Sequence, residues 1–145
     1  MTKVTDPYAA APTLMKQWTA TGFAVEKSLD KTLVELVKIR SSILNGCANC
    51  INMHAIDARA HGETEQRIYL LAAWHEAPVY TDRERAALAW TDALTGISEG
   101  HTQKAAKEAL EAHFTPEEQV NLTLLINIIN GWNRIAVGFD LWYEG

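Results

Sequence analysis

The stretch DKTLVELVKIRSSILNGCANCINMH, residues 30–54, decides how the chain folds. Asp30 is a helix-capping residue, and behind it Leu33, Val34, Leu36, Val37, Ile39, Ile43 and Leu44 almost surround a helix. A helix apolar on nearly every side belongs in the middle of a domain. Asn45-Gly46 then stops it, because that pair suits a C-terminal turn needing positive φ, after which a new helix can start at once. The Cys-x-x-Cys of Cys47 and Cys50 therefore stands at the entrance of a second helix. Cys50 and His54 are i and i+4 neighbours there, and Cys47 lies one turn before Cys50. Two thiols and an imidazole come within mutual reach.

Upstream, Leu14, Met15, Trp18, Phe23 and Ala24 fall mostly at helical spacing and predict a helix from Pro12 to about Ser28, behind a loose arm over residues 1–9 with one turn around Asp6-Pro7. Downstream, the cysteine helix runs to about His61, where Gly62 ends it, and a short helix follows from about Thr64 to Trp74. Thr81-Asp82-Arg83-Glu84 is a capping box that opens the next helix. A mostly polar helix spans about Thr102 to Phe114. Thr115-Pro116-Glu117-Glu118 repeats the start signal and launches a long apolar helix, which Asn130-Gly131 is expected to bend before Trp132 to Trp142. No stretch alternates strictly between hairpin turns, so the chain reads as one all-α domain of six or seven helices over residues 1–145. One internal echo stands out: Ser42-Ile43-Leu44-Asn45-Gly46 resembles Asn127-Ile128-Ile129-Asn130-Gly131.

At 145 residues the chain can bury a core without staples, and its 48% apolar and 21% charged content is that of a soluble globular protein. A formal charge of -5 gives no basic footprint for nucleic acid. No apolar run approaches the roughly 18–20 residues a bilayer requires, and no leader pattern opens the chain, so a cytoplasmic location is expected. A structural disulfide closing so short a loop would remove little unfolded-state entropy; redox or metal chemistry fits Cys47 and Cys50 better.

For peroxide reduction, a thiolate must attack and a second thiol must capture the sulfenic acid before it over-oxidises. Cys50, with His54 one turn on to take its proton, suits the attack, and Cys47 suits the resolving step. The reverse, thioredoxin-like assignment gives Cys47 the exchange with an incoming dithiol. A base needs an orienting partner, and Glu35 is the candidate because it sits amid Leu33, Val34, Leu36 and Val37, where an ionisable group is costly unless paired. From spacing alone, a surface pair of Glu35 with Arg40 or Lys38 is the stronger reading.

Glu35, then Cys47-x-x-Cys50-x-x-x-His54, with Arg40-Ser41 between, resembles the alkyl hydroperoxidase D (AhpD)-like branch of the carboxymuconolactone decarboxylase superfamily. Ala58-Arg59, Gly62-Glu63, Trp74-His75-Glu76-Ala77-Pro78, Arg83 to Leu88 and Ile129 to Arg134 resemble further blocks, so the likeness covers roughly residues 30–136. The resemblance implies an all-helical homo-oligomer, often a trimer or hexamer, with thiol-dependent peroxidase activity. It implies a proton relay from Glu35 through His54 to Cys50, and a Cys47–Cys50 disulfide reduced by a lipoyl or thioredoxin-like dithiol donor. No cofactor and no metal are implied. One departure falls at Asn49, where well-studied members carry histidine; an amide can hold a water or substrate oxygen but cannot shuttle a proton.

Other readings stay open beside the peroxidase: a general disulfide reductase, a redox-sensing or partner-binding module, or a zinc site using Cys47, Cys50 and His54, with His61 reaching back. His61, His75, His101 and His113 read as surface or cap residues, and Arg40 and Arg59 as members of structural ion pairs. Trp18, Trp74, Trp90, Trp132 and Trp142 read as core or subunit-interface side chains, with Trp132-Asn133-Arg134 an alternative lining for the mouth of the thiol pocket.

Overall fold

A computed structural model describes residues 3–100 and 103–143 of the chain. Among them are eight α-helices and no strand. They are α1 (Pro7–Ala10), α2 (Pro12–Lys27), α3 (Lys31–Asn45), α4 (Ala48–Ala60), α5 (Glu65–Tyr69), α6 (Asp82–Thr95), α7 (Gln103–His113) and α8 (Pro116–Gly138). A 3₁₀ turn, Leu70–Ala73, completes the short helix expected as far as Trp74. The all-α expectation holds, with eight helices rather than the six or seven expected, because a short helix forms before Pro12, and the capping boxes at Thr81 and Thr115 form with both of their hydrogen bonds.

Helix α3 is the axis of the fold. Every residue from Leu33 to Ser42 is buried, and the helix packs on α4, α6 and α8. Leu33, Val34 and Val37 face a core with Leu110, Phe114, Leu122, Leu125 and Ile126, while Leu36 and Ile39 join Ala55, Leu71, Trp74 and Leu88. Each fully buried leucine or isoleucine contributes about 1.5–3 kcal/mol. Burial on all sides leaves the polar side chains of α3 without water, so each needs a partner on another helix. Lys38 pairs with Glu26 of α2. Arg40 takes Asp92 of α6 at 2.7 Å and the carbonyl of Leu71 at 3.0 Å. Ser42 Oγ accepts from Asn133 Nδ2 of α8 at 3.0 Å.

Two further expectations, the loose arm and the end of the last helix, need correction. Residues 7–9 are not part of a loose arm: Asp6 caps α1, the Tyr8 and Thr19 hydroxyls lie 2.6 Å apart, and the Tyr8 ring stacks on Trp132. Helix α8 continues through Asn130-Gly131, where Asn130 Nδ2 donates to Ile126 O within the helix and Gly131 lies against Trp18. It ends at Gly138 rather than Trp142; Asp140 takes φ 53°, and Leu141 N–H returns to Ala136 O at 2.9 Å. The echoed asparagines meet in space, with Asn45 Nδ2 donating to Asn130 Oδ1 at 2.9 Å. His101 lies outside the described residues.

Candidate active site

Gly46 ends α3 in the left-handed region at φ 66°, and Cys47 N–H closes the turn on Ser42 O at 2.9 Å. Cys47 is at once the N-cap of α4, its sulfur accepting from Cys50 N–H at 3.2 Å. Only Gly46 and the capping Cys47 thus separate the axis of the fold from the cysteine helix. Cys47 and Cys50 are joined in a disulfide with Cα atoms 5.3 Å apart. Both are almost wholly buried, 1% and 4% exposed, and pack on Ala136 and Leu141.

Cys50, but not Cys47, lines a cavity of about 800 Å³ between α2, α3, α4 and the end of α8. Met15, Phe23, Val34, Met53, Trp132 and Ile135 give it a largely apolar wall. His54 and Glu35 share that wall with Cys50. His54 Nδ1 lies 3.4 Å from Glu35 Oε2 and 3.9 Å from Asp57 Oδ2. The approach to Glu35 is within ion-pair reach yet off the line of a directed hydrogen bond, so both atoms are buried without a hydrogen-bond partner. The surface pairing weighed for Glu35 does not form: Lys38 is committed to Glu26 and Arg40 to Asp92.

Residues after α8 close the site from one side. Asn49 is buried; its Oδ1 accepts from Tyr143 N–H at 2.8 Å and its Nδ2 lies 3.5 Å from Met53 Sδ. One acceptor position of the Asn49 amide is thereby taken by the backbone N–H of Tyr143. Leu141 and Tyr143 become part of the cavity wall. Trp132 also lines it, whereas Asn133 is buried beneath the turn, with Asn45 Nδ2 donating to its Oδ1 at 2.8 Å, and Arg134 is exposed. Arg59 pairs with Glu65, and His75 stacks on Trp74.

Residues 12–93 match the model of the carboxymuconolactone decarboxylase family. The chain belongs to that family. Among its relatives, the uncharacterized protein YdfG of Bacillus subtilis (strain 168) is 44% identical over 115 residues, which is 79% of this chain and 78% of YdfG. The uncharacterized protein YnjA of Escherichia coli (strain K12) is 25% identical over 117 residues, 81% of this chain and 64% of YnjA. A crystal structure from Agrobacterium tumefaciens, of a protein of unknown function proposed to be the antioxidant defence protein AhpD, superposes with a TM-score of 0.92 at 45% identity, covering 99% of both chains. The fold of this carboxymuconolactone decarboxylase family member is therefore AhpD-like, and its vicinal cysteine pair fits a redox function.

Of the residues singled out from sequence, the fold brings Cys47 and Cys50 into one bond and Glu35 and His54 into one pair, with Cys50, His54 and Glu35 on one cavity. His61 reaches the same cavity at its exposed edge. Sequence reasoning missed Asp57, although its i+3 spacing from His54 on α4 is a usable signal. It also missed the segment Leu141–Tyr143, for which no local pattern exists because the contact spans 94 positions.

Proposed function

We propose that the protein is a thiol-dependent hydroperoxide reductase that cycles Cys47 and Cys50 between dithiol and disulfide. What carries this reading is the Glu35–His54 pair, at the wall of the cavity that Cys50 faces, with neither facing atom taken by a hydrogen bond among the described residues. In the reduced protein the helix N-terminus and the imidazole favour a thiolate at Cys50. The thiolate attacks the terminal oxygen of a hydroperoxide; the O–O bond breaks, the leaving alkoxide takes a proton from His54, and Cys50 becomes a sulfenic acid. Glu35 holds the imidazole in place at the cavity wall. The Cys47 thiol then attacks the Cys50 sulfur, water leaves, and the disulfide closes. An external dithiol of the lipoyl or thioredoxin-like class returns both thiols and is itself oxidised. The working form under this proposal is a homo-oligomer, and the chemistry needs no bound cofactor.

Stoichiometric peroxide added to reduced protein tests the reading. Two thiols should vanish together, and Cys50→Ser should abolish peroxide consumption. Loss of a single thiol, or a Cys50→Ser variant reacting at the native rate, overturns it. A donor comparison under steady peroxide separates a peroxidase from a general disulfide reductase.

A redox switch without turnover is the second reading. It draws on the packing of Leu141 against the cysteines, which couples the state of the bond to the C-terminal segment. It requires oligomer size to differ between oxidised and reduced protein, with negligible turnover on any dithiol.

A further inference from the structure

We propose that Glu35, His54 and Asp57 form a site for a divalent cation, with Zn²⁺ the ion whose coordination they fit. Their candidate ligand atoms, one from each residue, lie within 4.8 Å of one another. In tetrahedral zinc sites, bonds of about 2.0–2.2 Å to nitrogen and oxygen place neighbouring ligand atoms about 3.3–3.6 Å apart. The 3.4 Å between His54 Nδ1 and Glu35 Oε2 is such an edge. The 3.9 Å to Asp57 Oδ2 closes by a small side-chain rotation, and Asp57 is half exposed and free to make it. The fourth position opens toward the cavity, which all three residues line.

A second, separate observation points to a ligand here. Glu35 is 8% exposed, and its Oε2 and His54 Nδ1 are buried without hydrogen bonds, 3.4 Å apart at the wall of the cavity. Two cationic side chains of α3 are spent elsewhere, Lys38 on Glu26 and Arg40 on Asp92, and Lys31, which lines the same cavity, makes no ion pair with Glu35. A buried carboxylate whose facing atom makes no hydrogen bond is costly, and a divalent ion shared with an imidazole and a second carboxylate relieves that cost. This site differs from one built on the cysteines, because in the oxidised protein both sulfurs are tied in their disulfide. An ion on Nδ1 also occupies the atoms that would handle the proton, so cation and proton compete there; that consequence rests on the peroxidase reading, whereas binding itself does not.

The test is equilibrium dialysis and calorimetry of the disulfide form with Zn²⁺, in which no thiol is available to bind metal. Uptake of about one ion per chain is expected, with affinity at least tenfold weaker in Glu35→Gln and Asp57→Asn and lost in His54→Asn. Circular dichroism confirms that each variant is folded, and Asp57→Asn, being half exposed, guards against a folding artefact. No uptake by the oxidised protein, or undiminished uptake by the three variants, overturns the site. Thiol loss to peroxide is measured separately with a chelator present, so that the peroxidase reading and the metal site fail independently.

Discussion

Asn49 Oδ1 accepts the backbone N–H of Tyr143 at 2.8 Å and so fastens the C-terminal residues across the dithiol. With Cys47 and Cys50 at 1% and 4% exposure, a protein-sized reductant cannot reach either sulfur unless that segment yields. A neutral hydrogen bond of this kind contributes only about 0.5–1.5 kcal/mol, so the fastening is reversible. Asn49→Ala should therefore speed reduction of the disulfide by a protein dithiol severalfold while changing reduction by a small dithiol much less. Stopped-flow reduction with both reagents checks this. Equal acceleration, or none, would mean the segment does not control access.

Glu35 and His54 should be separable by kinetics. A positioned acid or base contributes typically 10²- to 10⁴-fold to a proton-transfer step, and a residue that orients it contributes less. His54→Asn is thus expected to slow peroxide-driven thiol loss by about 10²-fold or more, and Glu35→Gln by about 10-fold. The His54→Asn, Glu35→Gln double variant should lose little beyond His54→Asn alone, because the carboxylate acts through the ring. Fully additive losses would place Glu35 in some other role.

The helices and the cysteine turn were legible because their causes are local. Asp30 caps, Gly46 takes positive φ, and the apolar positions of α3 recur at helical spacing. The Glu35–His54 pair was half legible: burial in an apolar run marked Glu35 as needing a partner, but spacing favoured Arg40 or Lys38. Those cations were claimed by Asp92, 52 positions away, and by Glu26 on another helix, which no local pattern reveals. At Asn130-Gly131 the sequence marks a weak point of the helix, but that α8 continues there with Gly131 against Trp18 is set by tertiary packing that no local pattern reveals.

Gly131 is expected to resist substitution although it lies inside a helix. A Cβ there would come within 2.5 Å and 2.8 Å of Trp18 ring atoms. Alanine would gain up to about 1 kcal/mol of helix propensity, but overpacking costs about 1–3 kcal/mol. Gly131→Ala should lower the unfolding midpoint, and the loss should shrink or reverse in a Trp18→Leu background that removes the ring. Destabilisation of equal size in both backgrounds would show that the clash is not with Trp18.

Glu84 offers a pH test remote from the cysteines. Burial pushes its carboxyl up, but the Arg67 guanidinium at 2.6 Å and the Thr81 N–H at 2.8 Å outweigh that and hold it below the ordinary value of 4.5. A carboxyl depressed in the folded state binds protons less readily than in the unfolded chain. Its stabilisation is therefore present in full above the unfolded value and lost as pH falls through the folded one. Charge-assisted hydrogen bonds of this type contribute about 1.5–3 kcal/mol, so Glu84→Gln should be destabilised by roughly that amount at pH 7. The gap from the native protein should narrow progressively below about pH 4.5, as the native carboxylate is itself neutralised. Urea unfolding midpoints of both proteins across that range decide it. A gap that stays constant into acid would assign the loss at Glu84→Gln to packing rather than to charge.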